Sequence, residues 1–173
     1  MTGQLSRPDQ LYFWPADEDQ EINVDASGVE EERIIQQALG ILEARCAPGE
    51  TVRDPAAVSR YLQLRLGGCK NECFAALYLN TRHEILELRE HFYGTIDGAT
   101  VHPRVIVQTA LELNAAAVIF AHNHPSGVAE PSEADRQITR KLIQALDLVD
   151  TRVLDHLVVS ARTVVSFAER GLL

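Results

Sequence analysis

A pair of histidines followed by a serine and an aspartate is the part of this sequence that best fits catalytic chemistry. His122 and His124 follow the apolar run 115–121, and a loop then leads to Ser132 and Asp135. Side chains two positions apart on a strand point to the same side, so both imidazoles should face one site. Two imidazole nitrogens and one carboxylate oxygen are typical protein ligands of a catalytic zinc ion, which keeps a fourth position for water. The spacing therefore predicts a metal-dependent hydrolase with one zinc ion per chain, held by His122, His124 and Asp135.

Ser132 and Asp135 also have a purely structural interpretation, as a helix N-cap. Ser-x-x-Asp at the start of an amphipathic helix resembles a capping box, in which the serine contributes about 1 kcal/mol. A helix cap does not require a His-x-His pair seven residues earlier. The combination of both motifs therefore favours a metal site over a cap alone. Two other zinc or nuclease patterns fit less well. An HNH nuclease spreads its residues along a ββα-metal motif, and a nucleobase deaminase needs His-x-Glu and a later Pro-Cys-x-x-Cys, which this sequence lacks.

Periodicity and turn residues predict an alternation of helices and strands. Asp54-Pro55 is a strong helix start, and Gly67-Gly68 should end that helix. Apolar runs bounded by turn residues indicate strands, and a mixed β-sheet flanked by helices is the expected outcome, which is an α/β fold. The predicted elements are helices 33–46 and 55–66, strands 73–79 and 84–92, helix 103–113, strand 115–121, helix 132–148, and strands 152–159 and 164–165.

Charge is distributed unevenly along the 173 residues. The net charge is −9, but the first 32 residues hold nine of the 25 acidic residues and only one of the 16 lysines and arginines. The remaining chain is nearly neutral, and neither part offers the basic stripe that nucleic-acid binding needs, so a nucleic-acid partner is not expected. We interpret residues 1–32 as an acidic, flexible leader that could bind a protein partner around residues 11–14.

Composition also excludes several other classes of protein. No apolar run approaches the roughly 18 residues of a membrane helix, and the N-terminus has no apolar signal region, so no membrane span and a cytoplasmic location are expected. Cys46, Cys69 and Cys73 form no C-x-x-C pair. Neither a disulfide framework nor a thiolate zinc site is therefore indicated.

Taken together, these motifs resemble the JAMM metalloprotein domain, also called MPN or JAB, and more narrowly its bacterial RadC-like branch. That family carries a glutamate, then His-x-His, seven residues, and Ser-x-x-Asp. The resemblance covers roughly residues 50–173 and implies a cytidine-deaminase-like fold. The stretches that carry it are residues 92–97, 102–104, 114–117, 122–127, 131–135, 154–157 and 166–169.

The resemblance implies a role for each candidate residue. His122, His124 and Asp135 would be the zinc ligands, and Ser132 would hydrogen-bond a developing oxyanion. The family's glutamate would be the general base on the water that zinc activates. Glu72 fits best, because it lies just before the predicted strand 73–79. Glu84 and Glu87 are weaker candidates on the next strand, and a solvated acid at a strand end is the alternative for Glu72.

Three functional hypotheses follow, together with a division of the chain. The first is a zinc peptidase or isopeptidase acting on a peptide or isopeptide. The second is a protein-binding module that retains its metal. The third is a metal-dependent phosphodiesterase or nuclease, which the near-neutral body disfavours. Residues 1–32 would be the leader, 33–50 a helix and linker, and 51–173 the metal-binding domain. His156 is expected to be a core histidine, although a contact with the metal or with one of its ligands stays open.

Overall fold

The computed structural model describes residues 26–94 and 101–173. Helices and strands alternate along these residues and form an α/β fold with one mixed sheet, as the sequence predicts. The helices are α1 (Ala26–Arg45), α2 (Pro55–Leu66), α3 (Pro103–Glu112) and α4 (Glu133–Asp147), and the strands are β1 (Cys73–Leu79), β2 (Ile85–Tyr93), β3 (Ala117–Asn123), β4 (Arg152–Val159) and β5 (Val164–Ser166).

The five strands lie in the order β2-β1-β3-β4-β5. All neighbours are antiparallel except β3 and β4, which are parallel. A parallel pair needs a crossover connection, and α4 supplies it. The carboxyl end of β3 therefore leads directly into the loop and helix that carry Ser132 and Asp135.

Side chains alternate between two apolar faces of the sheet. On one face, Leu77 of β1 and Ile119 of β3 pack with α1 and α2 residues such as Leu62. On the other face, Phe74 and Phe120 pack with α3 and α4 residues. β1 and β3 are buried along their whole length because helices cover both faces. The even-numbered positions of β3 thus point toward α3 and α4.

Two elements differ from the sequence prediction by more than one residue at a boundary. α1 begins at Ala26 rather than at residue 33, so the last acidic residues of the expected leader are helical. The apolar pattern missed them because they are stabilised as an exposed helix turn, with Arg33 bonded to Glu30 and Gln36 to Glu32. The predicted strand 115–121 is β3, shifted to 117–123 by pairing with β4 up to Val159. The first histidine therefore lies within the strand. The rest of the predicted leader lies outside the described residues.

Gly67 ends α2, as predicted. It does not do so by adopting the left-handed backbone conformation of a typical glycine cap. Its φ is −64°, which any residue adopts. A Cβ at this position would lie 2.5 Å from the carbonyl oxygen of Gln63 and 2.8 Å from that of Ser160. Glycine is needed here because α2 ends against the turn that follows β4.

No helix among residues 26–94 and 101–173 combines the length and apolar character that crossing a membrane requires.

Candidate metal centre

The two histidines lie at the carboxyl end of β3, on the face that α4 covers. His122 is the sixth residue of the strand, and its side chain is only 2% exposed. His124 follows the strand, and its side chain is 18% exposed. The period of two that the sequence analysis assumed therefore holds, and both imidazoles reach the same point. One candidate ligand is buried and the other borders solvent.

Asp135 is brought to the same point by the start of α4. Ser132 is the N-cap, its Oγ accepts from the Asp135 backbone N–H at 3.1 Å, and the Asp135 carboxylate accepts from the Ser132 N–H at 2.7 Å. This is a reciprocal capping box, so the structural interpretation of the motif is correct. The cap also fixes the Asp135 side chain in the first turn of α4. The helix cap and the predicted metal site therefore share Asp135.

Three possible ligand atoms converge between β3 and α4. The two Nε2 atoms of His122 and His124 are 3.0 Å apart, and the Asp135 oxygens lie 3.3 Å from His122 Nε2 and 3.4 Å from His124 Nε2. Ligand atoms on a tetrahedral zinc ion, with bonds near 2.0–2.1 Å, are about 3.3 Å apart. The three side chains form the one group of metal-binding type found among the described residues. Their spacing fits a zinc ion.

The hydrogen bonds behind the imidazoles support the same assignment. His124 Nδ1 lies 2.9 Å from the Val128 carbonyl oxygen, which can only accept, so this nitrogen carries a hydrogen. In a neutral imidazole the lone pair is then on Nε2, which faces Asp135. Two ring nitrogens and a carboxylate pointing at one another leave a place that a cation would fill.

Electrostatics at the site favour a bound cation. Burial acts to raise the pKa of Asp135, but the close imidazoles of His122 and His124 outweigh burial and hold that pKa well below its usual range. The hydrogen bond to Asp135 raises the pKa of His124, although burial opposes this. The carboxylate is therefore ionised and attracts a neighbouring positive charge, either a protonated imidazole or a metal ion.

Glu72 directly precedes β1, as the sequence analysis expected. The antiparallel register of β1 and β3 ends at the pair Phe74 and His122, so residues 72 and 124 follow at the same edge of the sheet. The charge of Glu72 contributes to raising the pKa of His124, which places its carboxylate within electrostatic reach of the imidazole. Glu72 is partly exposed and does not belong to the ligand group. This position suits a residue that handles a proton next to a metal.

The alternative glutamates lie elsewhere. Glu87 pairs with Tyr78 in β2 and forms an ion pair with Arg89. Glu84 precedes β2 at the β1–β2 turn, where Asn80 binds it. Both glutamates lie near the end of β1 that is farther from the histidines. The structure therefore does not bring them to the candidate metal centre.

His156 is a core histidine that also contacts a candidate ligand. It is fully buried in β4, and its Nε2 lies 2.8 Å from His122 Nδ1. Its Nδ1 lies 2.6 Å from the Oγ1 of Thr139 in α4. Sequence reasoning left this contact open for His156 and did not single out Thr139. The available signal for Thr139 was its position four residues after Asp135, on the same helix face.

Comparison with known proteins identifies the family to which this chain belongs. The RadC-like JAB domain matches residues 52–172, which include all five candidate residues. The chain belongs to the RadC-like JAB domain family. The resemblance on which Glu72 and Ser132 were assigned is thus confirmed at the level of the family, and the sheet flanked by helices is consistent with a JAB fold.

Several proteins that are similar to this chain carry the name UPF0758 protein. One from Marinobacter nauticus is 54% identical over 139 residues, which are 80% of this chain and 62% of the relative. One from Vibrio cholerae serotype O1 is 52% identical over 143 residues, covering 83% of this chain and 90% of the relative. One from Nitrosococcus oceani is 55% identical over 132 residues, covering 76% of this chain and 59% of the relative. This chain therefore spans about three fifths of the length of two of these relatives.

Proposed function

We propose that this protein is a zinc-dependent hydrolase that cleaves an amide bond in a peptide or an isopeptide. The observation that supports this most is the convergence of His122, His124 and Asp135 at spacings that fit tetrahedral zinc. The exposed edge of His124 leaves the site accessible from solvent. The JAB superfamily includes metallohydrolases, which supports the same conclusion.

A bound zinc ion would supply two effects, a lower pKa for an attacking water and polarisation of the carbonyl oxygen. Glu72 would accept a proton from the water as the water oxygen bonds to the carbonyl carbon. It would then deliver this proton to the leaving nitrogen as the carbon–nitrogen bond breaks, so that a carboxylic acid and an amine are released. Its position beside His124 suits both transfers.

Ser132 would stabilise the negative charge that develops on the carbonyl oxygen. Its hydroxyl donates to Asp135 Oδ2 at 2.6 Å in this structure. Ser132 is exposed, so its side chain has room to turn toward a substrate. The role therefore requires a rotation of the hydroxyl away from Asp135 during the reaction.

The first prediction concerns Glu72→Gln, which keeps the shape of the side chain and removes its ability to accept a proton. We expect this variant to hold as much zinc as the wild type and to hydrolyse at least about 100-fold more slowly. Zinc per chain is measured by mass spectrometry. Hydrolysis is measured with fluorogenic α-peptides and with probes linked through a lysine ε-amide.

Glu87→Gln is the matched control, because Glu87 pairs with Arg89 away from the site. It should retain both zinc and activity. Equal hydrolysis by wild type and Glu72→Gln would remove Glu72 from the mechanism. A zinc-loaded wild type that cleaves neither class of probe would instead favour the protein-binding module.

A further inference from the structure

Three hydrogen bonds lead from the backbone of α4 to the buried candidate ligand His122, and a further polar contact joins His122 to Asp135. The Asp135 carbonyl oxygen lies 2.6 Å from Thr139 Oγ1, which lies 2.6 Å from His156 Nδ1. His156 Nε2 lies 2.8 Å from His122 Nδ1, and His122 Nε2 lies 3.3 Å from Asp135 Oδ1. This series of contacts therefore begins and ends on the same residue.

The number of hydrogens available decides the direction of each bond. A carbonyl oxygen can only accept, so the single hydroxyl hydrogen of Thr139 goes to Asp135. The same hydroxyl must then accept a hydrogen from His156 Nδ1. A neutral imidazole with its hydrogen on Nδ1 carries its lone pair on Nε2, so His156 accepts from His122 Nδ1. The lone pair of His122 is thereby left on Nε2, which faces the metal position.

Aromatic side chains surround His156 in the core. Three aromatic rings enclose it, with centroids 4.8 Å away for Phe167, 5.5 Å for Phe74 and 5.9 Å for Phe120. His156 is fully buried, so its two ring nitrogens bond to Thr139 and His122 rather than to solvent.

We propose that Thr139 and His156 are positioning residues that hold His122 in the tautomer whose Nε2 lone pair binds the metal. In the opposite tautomer, a hydrogen on His122 Nε2 would point at the metal position and block it. This inference rests on the metal site of the proposed function, but it does not depend on hydrolysis. Partners that orient a ligating histidine typically change metal affinity by 10–100-fold when they are removed.

Thr139→Val and Thr139→Ser separate the hydroxyl from the shape of the side chain. Valine has nearly the same shape but cannot accept from His156, so we expect zinc affinity to fall by about 10-fold or more. Serine restores the hydroxyl, so its affinity should lie within about threefold of the wild type. Zinc affinity is measured by competition with a chromophoric chelator. Equal affinity for wild type and Thr139→Val would overturn the proposal.

Leu146→Ala controls for a general loss of packing. Leu146 is also buried in α4, but it contributes only apolar contacts. Thermal unfolding is measured for all variants. We expect Leu146→Ala to unfold at a lower temperature and to keep its zinc affinity. A loss of affinity in Leu146→Ala equal to that in Thr139→Val would show that packing alone is responsible, and it would also overturn the proposal.

The tautomer of His156 can be measured directly in the wild type without any variant. Long-range ¹⁵N–¹H NMR of the metal-free protein should show the His156 hydrogen on Nδ1. A hydrogen on Nε2 in the wild type would contradict the proposal, even if Thr139→Val folds poorly. Absence of hydrolysis would not affect this measurement, so failure of the proposed function and failure of this inference are distinguishable.

Discussion

Asn123 lies between the two candidate histidine ligands and contacts the segment that leads into β1. Its Oδ1 accepts from the Cys73 N–H at 2.7 Å. Its Nδ2 donates to the carbonyl oxygens of Cys69 and Asn71 at 3.2 and 3.1 Å. Glu72 lies within this clamped segment. The residue between the ligands thus fixes the position of the proposed general base.

The second prediction is that Asn123→Ala loosens this segment without removing the metal. The buried Cys73 N–H would lose its partner, so the free energy of unfolding should fall by roughly 2 kcal/mol. Hydrogen exchange at the Cys73 amide should become faster, and hydrolysis should fall because Glu72 is no longer held. Zinc per chain should be unchanged. If the Cys73 amide exchanged at the wild-type rate in this variant, the clamp would not exist in solution.

His91 is a titratable group away from the metal centre. It bonds the Tyr78 hydroxyl at 2.7 Å in the sheet. Burial, assisted by the charge of Arg89, lowers the pKa of His91 to about 4. An unfolded histidine titrates near 6.5. Between these two values the unfolded chain binds a proton that the folded chain does not, so acid favours unfolding.

The third prediction follows from that difference in pKa. Above pH 6.5 His91 should make no pH-dependent contribution, and between pH 6.5 and 4 the free energy of unfolding should fall by up to about 3 kcal/mol. His91→Gln should remove this part of the acid sensitivity. Urea unfolding of both metal-free proteins, measured from pH 4 to 7, gives the difference. Parallel pH profiles for the two proteins would show that His91 titrates normally.

At the scale of secondary-structure elements, the end of α2 packs tightly against the turn after β4. This close approach explains Gly67, whose Cβ position is filled by the carbonyl oxygens of Gln63 and Ser160. The neighbouring Gly68 has open space around its Cβ position. The two glycines therefore offer a matched pair for testing how closely the helix and the sheet approach.

The fourth prediction compares alanine at these two glycines. Gly67→Ala should lower the free energy of unfolding by about 1–3 kcal/mol, because backbone atoms must shift to admit the new methyl group. Gly68→Ala should change it by less than about 0.5 kcal/mol. Urea unfolding measures both. A Gly67→Ala protein as stable as the wild type would mean that α2 lies farther from the sheet than this structure shows.

The sequence predicted elements well where local pattern and burial agree. Strand 73–79 and strand 152–159 have the predicted bounds, and Asp54 caps α2 through the Ala56 N–H. The prediction for α1 was wrong at its start, because exposed glutamates stabilise a helix turn without any apolar pattern. Such turns depend on side-chain pairs that hydrophobic periodicity does not report.

The candidate ligands were predictable because their spacing is local. His122 and His124 follow the strand period, and Asp135 follows from the helix start at Ser132. The contact between His156 and His122 was not predictable in the same way, because it depends on the parallel register of β3 and β4. That register joins residues about 34 positions apart in sequence, and one sequence contains no signal that fixes it.

At the scale of the whole molecule, the acidity is concentrated at the N-terminal end of the chain. The sequence-based prediction that residues 11–14 bind a protein partner lies outside the described residues and stays a prediction. The nearly neutral remainder includes residues 52–172, which match the RadC-like JAB domain and contain the candidate ligands His122, His124 and Asp135. Metal binding and partner binding would thus use different parts of the chain.

The fifth prediction tests the metal centre itself, by mass spectrometry of the metal content of untagged wild-type protein beside His124→Ala. The wild type should contain about one zinc ion per chain, and His124→Ala should have lost it, because two remaining ligands hold zinc weakly. A folded wild-type protein that contains no metal and cannot be reconstituted with zinc would contradict the proposed zinc site. The convergence of His122, His124 and Asp135 would then be structural only.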